Sequence, residues 1–164
     1  MEKPRRKRIR LQSYDYNSPG YYFITVCVEG KRKLLGEIVG TGLPDGPKQQ
    51  LTHFGQIVDR QLRIMSDFYD DILLEKYVIM PNHVHLLIRI IGVWESDGQS
   101  VGTNSKIAKF IGTFKRFTNK ACGMNIWQSR SHDHVIRGER DYRKIWQYIE
   151  ENPMRWLDDC FYME

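Results

Sequence analysis

The segment that most restricts the fold of this chain runs from residue 83 to residue 90, where every second side chain is aliphatic. Such a period of two is typical of a β-strand whose two faces meet different surroundings. One face is entirely aliphatic and consists of Val84, Leu86, Ile88 and Ile90. The opposite face consists of His83, His85, Leu87 and Arg89. The pattern predicts a strand with one face in a hydrophobic core and two histidines together on the other.

More strands are predicted on either side of this segment. Residues 21–28 form an aromatic and β-branched run, which favours a strand. Residues 77–80 favour another, separated from His83 by Pro81 and Asn82, so we expect either two adjacent strands or one strand broken by a turn. A short apolar pair, Val135 and Ile136, follows later in the chain.

Three helices are predicted between and after these strands. The first begins at Thr52, a plausible N-cap, and ends near Phe68; the last begins near Glu139. The second has an apolar stripe made of Ile107, Phe110, Ile111, Phe114 and Phe117. The order β, α, β, β, α, β, α lacks regular βαβ alternation. It predicts the α+β class, an antiparallel sheet with helices packed on it.

The length of 164 residues suits one core, so we expect a single domain over residues 1–164. The glycine- and proline-rich residues 40–47 predict a loop, and residues 92–104 a hinge. No apolar run approaches the roughly 20 residues of a membrane span, so we expect a cytoplasmic protein. The three cysteines have neither a C-x-x-C spacing nor a disulfide pattern, which favours reduced structural thiols.

The positive charge is concentrated at the N-terminus. The whole chain carries a net charge of +5, and residues 1–10 alone hold six basic residues against one acidic residue. Residues 1–19 therefore form a basic arm, and its candidate DNA-binding residues are Arg5, Arg6, Lys7, Arg8 and Arg10. The alternative is a disordered, solubilising tail. Residues 105–120 contain no carboxylate, so phosphate contact or a solvated face is predicted for Lys106, Lys109, Lys115 and Arg116.

Two histidine pairs have the spacing of neighbours on one strand face. His83 and His85 lie about 7 Å apart at Cα in a strand, near enough to bind one divalent ion, although both are also compatible with an ordinary polar sheet face. His132 and His134 have the same spacing, but no aliphatic face backs them. We interpret that second pair as loop or DNA-contact residues, with His134 as a candidate.

The last helix supplies possible partners for a metal site. Tyr148 and Asn152 are four residues apart and therefore neighbours on one helical face. They lie beside the apolar stripe of this helix, which consists of Tyr142, Ile145, Trp146 and Ile149. Asn152 precedes Pro153, which disfavours the α conformation and indicates a helix end or bend. Its amide either completes a metal site or caps the helix.

Several segments together resemble the REP-associated tyrosine transposases, which belong to the single-tyrosine HUH transposase superfamily. The resemblance starts with the basic arm, Tyr14, Tyr16 and Pro19, and covers most of the chain. Its most specific part combines histidine, a hydrophobic residue and histidine at 83–85 with Tyr148, Asn152 and Pro153 near the end. Residues 77–87, 127–128, 133–137, 141–143 and 148–153 carry the match.

The resemblance implies a ferredoxin-like (RRM-like) HUH endonuclease palm. In it, His83, His85 and Asn152 would bind Mg²⁺ or Mn²⁺, and Tyr148 would be the nucleophile that forms a 5′-phosphotyrosine. The implied partner is single-stranded DNA with a hairpin, a REP-like palindrome, which the enzyme nicks and rejoins. The implied setting is the nucleoid, as a monomer or a homodimer.

Three other functions stay open at this point. A non-catalytic RRM-like nucleic-acid-binding module would share the palm, but the chain has no segment that fits the aromatic stacking motif of such modules. A replication initiator or relaxase of the same superfamily would keep the metal and the tyrosine. A domesticated transposase would be retained for DNA binding alone.

Overall fold

A computed structural model describes residues 14–40, 44, 46–92 and 105–162. The DNA-arm residues predicted between Arg5 and Arg10, most of the predicted hinge, and residues 41–43 and 45 of the predicted loop lie outside the described residues. In chain order the elements are β1 (Gly20–Val28), β2 (Gly36–Val39), β3 (Lys48–Leu51), α1 (His53–Phe68), β4 (Ile72–Met80), β5 (His83–Ile90), α2 (Lys106–Cys122), β6 (Trp127–Ile136) and α3 (Glu139–Glu151). Short 3₁₀ turns follow β1 and α3, at Glu29–Lys31 and Trp156–Asp158.

Four strands form one antiparallel sheet in the order β4, β5, β1, β6. The chain enters the sheet at β1, crosses through α1 to β4, turns directly into β5, and crosses through α2 to the edge strand β6. This is the ferredoxin-like arrangement, and it confirms the predicted α+β class. Of the two alternatives for residues 77–90, the structure has two adjacent strands, joined by a turn at Pro81 and Asn82.

The main core lies between α1, α2 and the aliphatic face of the sheet. It contains the four aliphatic residues predicted on β5, together with Ile24 of β1 and Phe110 and Phe114 of α2. The helix α1 starts where predicted, because Thr52 Oγ1 accepts a hydrogen bond from the Gly55 backbone amide at 3.2 Å. Both crossover helices therefore lie on the side of the sheet opposite His83 and His85.

The helix α3 covers the other face of the sheet. Its Ile149 is buried in a second, smaller cluster that includes Val78 of β4 and Leu87 of β5. After the helix ends, Trp156 joins the same cluster. The face that carries the two histidines is thus closed by the last helix and the segment that follows it.

Some sequence predictions are wrong in detail. The loop predicted at 40–47 lies between two short strands that were not predicted, β2 and β3, which pair as a hairpin. His132 and His134 lie within β6, not in a loop, and they share the sheet face of Thr25 and Phe23. Phe117, which was predicted in the apolar stripe of α2, is 43% exposed, and Thr118 is buried in its place. At 100° per residue, Thr118 returns to the direction of Ile107, whereas Phe117 does not.

The cysteines are free thiols, as predicted, but only Cys27 is buried, and Cys160 is exposed. Among the described residues, no helix combines the length and the apolar character that a membrane span requires.

Candidate metal and tyrosine site

His83 and His85 meet at their Nε2 atoms, which lie 2.9 Å apart. Both side chains are buried, with exposed fractions of 0% and 1%. The strand β5 directs both rings to the same face, since they are two residues apart. Two nitrogen atoms at this separation can both lie about 2.1 Å from one metal ion.

The orientation of the His83 ring is fixed by Asn82. The amide nitrogen of Asn82 donates to the carbonyl oxygens of Lys31 and Phe161, at 3.2 and 2.7 Å, so its Oδ1 faces His83. His83 Nδ1 lies 2.8 Å from that Oδ1, and because Oδ1 only accepts, Nδ1 carries the hydrogen. In the neutral ring this leaves a lone pair on Nε2, as a metal ligand requires.

The His85 ring is held from the neighbouring strand. Its Nδ1 lies 2.8 Å from Thr25 Oγ1, and Thr25 is the residue paired with His85 between β1 and β5. On its other side, the ring of Phe23 stacks on it with centroids 5.1 Å apart. When Thr25 accepts the Nδ1 hydrogen, the Nε2 lone pair of His85 is free to bind a cation.

Burial keeps both imidazoles neutral. Desolvation lowers the pKa of His83 to about 4, partly opposed by the negative charge of Asp159. The pKa of His85 falls well below its ordinary value, first because of burial and then because of His83. Neutral imidazole is the form that binds metal ions, so the site needs no deprotonation near neutral pH.

The helix α3 brings Tyr148 to this pair. Its Oη lies 3.4 Å from His85 Nε2, and its ring makes edge contacts with His85 and Phe23 at centroid distances of 5.2 and 5.9 Å. Burial, followed by the charge of Asp159, raises the pKa of Tyr148 to about 12. The phenol is therefore protonated near neutral pH. A single chain supplies both the phenol and the imidazoles.

Asn152 follows one helical turn after Tyr148 and is 1% exposed. Its backbone is helical, with φ −56° and ψ −42°, so Asn152 adopts the α conformation that the following proline disfavours. The helix α3 nevertheless ends at Glu151, just before it, as the proline predicts. The amide nitrogen donates to Asp159 Oδ2 at 3.2 Å. Among the described residues, its Oδ1 is buried without a hydrogen-bond partner. An unpaired buried carbonyl oxygen is unfavourable, and a cation would satisfy it.

The sequence analysis missed Asp159. Its carboxylate and the ring nitrogens of His83 and His85 all lie within 4.8 Å of one another. No spacing rule connects it to the histidines, because it lies in the irregular segment after Pro153. The one sequence signal for Asp159 is the tendency of aspartate to form a local turn, which is a weak indication. In the structure, Asp159 Oδ1 accepts a hydrogen bond from the Phe161 backbone amide at 2.8 Å in such a turn.

The predicted DNA-binding residues that the structure describes do not gather around this site. Those on α2 lie in the layer on the opposite face of the sheet. Lys106 pairs with Asp71 at 2.6 Å, and Lys115 donates to the Gln128 carbonyl oxygen at 2.8 Å. An acid from elsewhere in the fold therefore balances Lys106. Lys109 and Arg116 are exposed.

His134 is held in a local contact of its own. Its Nε2 lies 2.9 Å from Asp141 Oδ2 in α3, and its side chain is 53% exposed. The residue is thus accessible on the edge strand and outside the histidine pair.

Comparison with known proteins finds relatives of this chain. No protein-family model matches it. An uncharacterized protein from Haemophilus influenzae is 30% identical over 175 aligned positions, which cover 97% of this chain and 94% of that protein. The REP-associated tyrosine transposase of Escherichia coli is 32% identical over 83 residues, which are 50% of this chain and 44% of that protein.

A solved structure supports the fold. The structure of a REP-associated tyrosine transposase bound to a REP hairpin matches 95% of this chain and 74% of its own, with a TM-score of 0.61 and 24% identity. At 24% identity, this similarity shows that the two proteins share a fold.

Proposed function

We propose that this chain, which belongs to one family with the Haemophilus influenzae protein and is related to the REP-associated tyrosine transposases, is a transposase-like enzyme. It nicks and rejoins single-stranded DNA beside hairpins. The observation that carries this proposal is the distance of 3.4 Å between Tyr148 Oη and His85 Nε2, in a site that His83 shares. A nucleophilic hydroxyl next to a pair of metal-binding imidazoles suits phosphodiester exchange.

The proposed metal ligands are His83, His85 and Asn152. Their chemistry fits a divalent ion, since burial keeps the imidazoles neutral and the buried Oδ1 of Asn152 has no partner among the described residues. When bound, Mg²⁺ or Mn²⁺ would act as a Lewis acid on the scissile phosphate. Two nitrogen ligands favour Mn²⁺ over Mg²⁺, which prefers oxygen.

Tyr148 is the proposed nucleophile. Its oxygen gives up its proton and forms a bond to phosphorus while the bond from phosphorus to the 3′ oxygen breaks. The 3′ oxygen takes up a proton, which leaves a 5′-phosphotyrosine and a 3′-hydroxyl. The pKa of about 12 means that the phenol keeps its proton until the attack. The Phe23 and His85 rings hold it in place. Since one phosphodiester replaces another, a second 3′-hydroxyl can reverse the reaction without ATP.

The proposed partner is single-stranded DNA that contains a hairpin. Support comes from the structurally similar REP-associated tyrosine transposase, whose structure was solved with a REP hairpin. The basic residues between Arg5 and Arg10, with Lys109 and Arg116 of α2, would neutralise the DNA backbone. A DNA substrate of this kind places the protein at the nucleoid.

The decisive experiment looks for the covalent intermediate. Labelled single-stranded hairpin DNA is incubated with the protein and Mn²⁺ and then run on a denaturing gel. We expect an adduct with the wild type, none with Tyr148→Phe, and much less with His83→Ala or His85→Ala. Tyr142→Phe is the matched control, because Tyr142 lies on the same helix and packs on Tyr21.

Two results would contradict the proposal. An adduct that persists in Tyr148→Phe would mean that another residue is the nucleophile. DNA binding without any adduct in the wild type would support the binding-only alternative.

A further inference from the structure

The carboxylate of Asp159 is buried beside the histidine pair. Its side chain is 1% exposed, and its Oδ2 lies 3.9 Å from His83 Nε2. It also lies within 4.8 Å of the ligand nitrogens of both histidines. The neighbouring Asp158 is exposed. Of two consecutive aspartates, the fold therefore turns one to solvent and one into the site.

Local structure fixes where Asp159 points. The Asp159 backbone amide donates to the Trp156 carbonyl oxygen at 3.2 Å, and the Tyr162 amide donates to the Asp159 carbonyl oxygen at 2.9 Å. Phe161 lies against the His83 ring, with centroids 4.5 Å apart. A short turn on each side thus holds the carboxylate against the sheet, much as a strand or a helix holds the other groups of the site.

Within the part of the chain that the structure describes, the contacts of this carboxylate leave its charge uncompensated. It accepts hydrogen bonds from Asn152 Nδ2 and the Phe161 backbone amide, and both donors are neutral. Among the described residues, no lysine or arginine forms an ion pair with Asp159; Lys31 Nζ instead lies over the Phe161 ring, 5.8 Å from its centroid. Burying an anion is costly unless a counter-charge or a metal ion meets it.

We propose that Asp159 is a fourth protein ligand of the divalent ion, together with His83, His85 and Asn152. The inference rests on the proposed function only in placing an ion at the two histidines. The carboxylate adds a negative charge and a hard oxygen to a site of two imidazoles and one amide. Such a mixed set of nitrogen and oxygen donors suits a divalent ion of the Mn²⁺ type.

The test measures metal binding instead of DNA cleavage. Isothermal titration calorimetry with MnCl₂ is run on the full chain, after chelator treatment, for the wild type, Asp159→Asn and Asp158→Asn. Both variants remove one negative charge, at adjacent positions. We expect Asp159→Asn to bind Mn²⁺ at least about tenfold more weakly, and Asp158→Asn to stay within about twofold of the wild type.

A second readout guards against unfolding of the Asp159→Asn variant. With Co²⁺ as probe, the visible absorption of the bound ion should differ between the wild type and Asp159→Asn and agree between the wild type and Asp158→Asn. Circular dichroism checks the fold. If Asp159→Asn unfolds, Asp159→Glu keeps the charge, and its Co²⁺ spectrum should still differ from the wild type.

The outcomes separate the two proposals. Unchanged Mn²⁺ affinity in folded Asp159→Asn, with binding lost in His83→Ala, would overturn the role of Asp159 and leave the histidine site in place. If the wild type binds neither Mn²⁺ nor Co²⁺, the ion itself is wrong, and the proposed function fails with it.

Discussion

Thr25 and His85 face each other across two central strands, with Thr25 Oγ1 2.8 Å from His85 Nδ1. This contact fixes the ring nitrogen that points away from the site. It therefore sets the direction of the Nε2 atom that we assign to the metal. The hydroxyl of one strand thus controls the ligand on the next.

Replacing Thr25 by valine removes this hydroxyl and keeps the shape. We expect Thr25→Val to weaken Mn²⁺ binding by about 10 to 100-fold, because partners of metal-binding histidines have effects of that size. Thr25→Ser, which restores the hydroxyl, should recover most of the affinity. Calorimetric titration measures both variants, and equal affinities for valine and serine would contradict the role of the hydroxyl.

The metal-free protein should lose stability in mild acid. The pKa of His83 is lowered to about 4 in the folded state, and that of His85 is lowered as well, so the unfolded chain binds more protons below pH 6.5. For each histidine, the unfolding free energy should fall by about 1.4 kcal/mol per pH unit as the pH decreases from 6.5 to the pKa of the folded state. Above pH 6.5 both states are neutral at these positions, and this contribution is constant.

Urea unfolding at pH 7 and pH 5, with EDTA present, measures this effect. The double variant His83→Asn with His85→Asn is the control, and its unfolding free energy should change less between the two pH values. An equal change in the wild type and the double variant would show that the two histidines do not cause the acid sensitivity.

The start of α1 depends on the absence of a side chain at residue 55. A Cβ built on Gly55 would lie 1.9 Å from the Leu35 carbonyl oxygen, a backbone atom. The helix and the segment that precedes β2 would have to separate, so we expect Gly55→Ala to lower the unfolding free energy by about 2 kcal/mol or more. Gly112→Ala in α2 is the matched control, since its Cβ would meet nothing within 4 Å. Thermal unfolding of both variants checks the difference.

Much of the fold followed from periodicity. The strand from His83 to Ile90, the N-cap at Thr52 and the stripe of α2 are local patterns, and the structure confirms them except at Phe117, the last residue of that stripe. The pairing of β2 with β3 was missed because its four-residue strands are too short to give a period. The extent of β6 was missed because, on an edge strand, its polar residues have no apolar alternation.

The site was predictable only where its residues lie on regular elements. His83 and His85 share a strand face, and Tyr148 and Asn152 share a helix face, so spacing alone pairs each set. The approach of α3 to β5 depends on tertiary packing through Ile149 and Leu87, which no single motif encodes. Asp159 depends in addition on the path of an irregular segment.

The charges of α2 allow a comparison between a cation in an ion pair and cations that form no ion pair with the residues the structure describes. Lys106 forms an ion pair with Asp71, whereas Arg116 and Lys109 are exposed, with Arg116 lying over the Phe117 ring. If α2 contacts the DNA backbone, Lys109→Ala combined with Arg116→Ala should weaken binding of hairpin DNA by several fold, and Lys106→Ala should have less effect. Fluorescence anisotropy measures the affinities, and equal affinities in all variants would place the DNA elsewhere.

Deletion of residues 1–13 tests the arm by its salt dependence. The arm holds the basic residues between Arg5 and Arg10 and most of the net positive charge. On single-stranded DNA, each lost phosphate contact should reduce the slope of log affinity against log salt by about 0.7. Loss of several contacts should therefore reduce affinity strongly at low salt and only slightly at high salt.

Metal binding separates this effect from damage to the fold. Calorimetric titration of the deletion variant should give the wild-type Mn²⁺ affinity, since none of the proposed metal ligands lies in residues 1–13. An unchanged salt slope would identify the arm as a solubilising tail. A reduced slope with unchanged metal affinity would assign the arm to DNA and leave the phosphodiester chemistry to the site on β5 and α3.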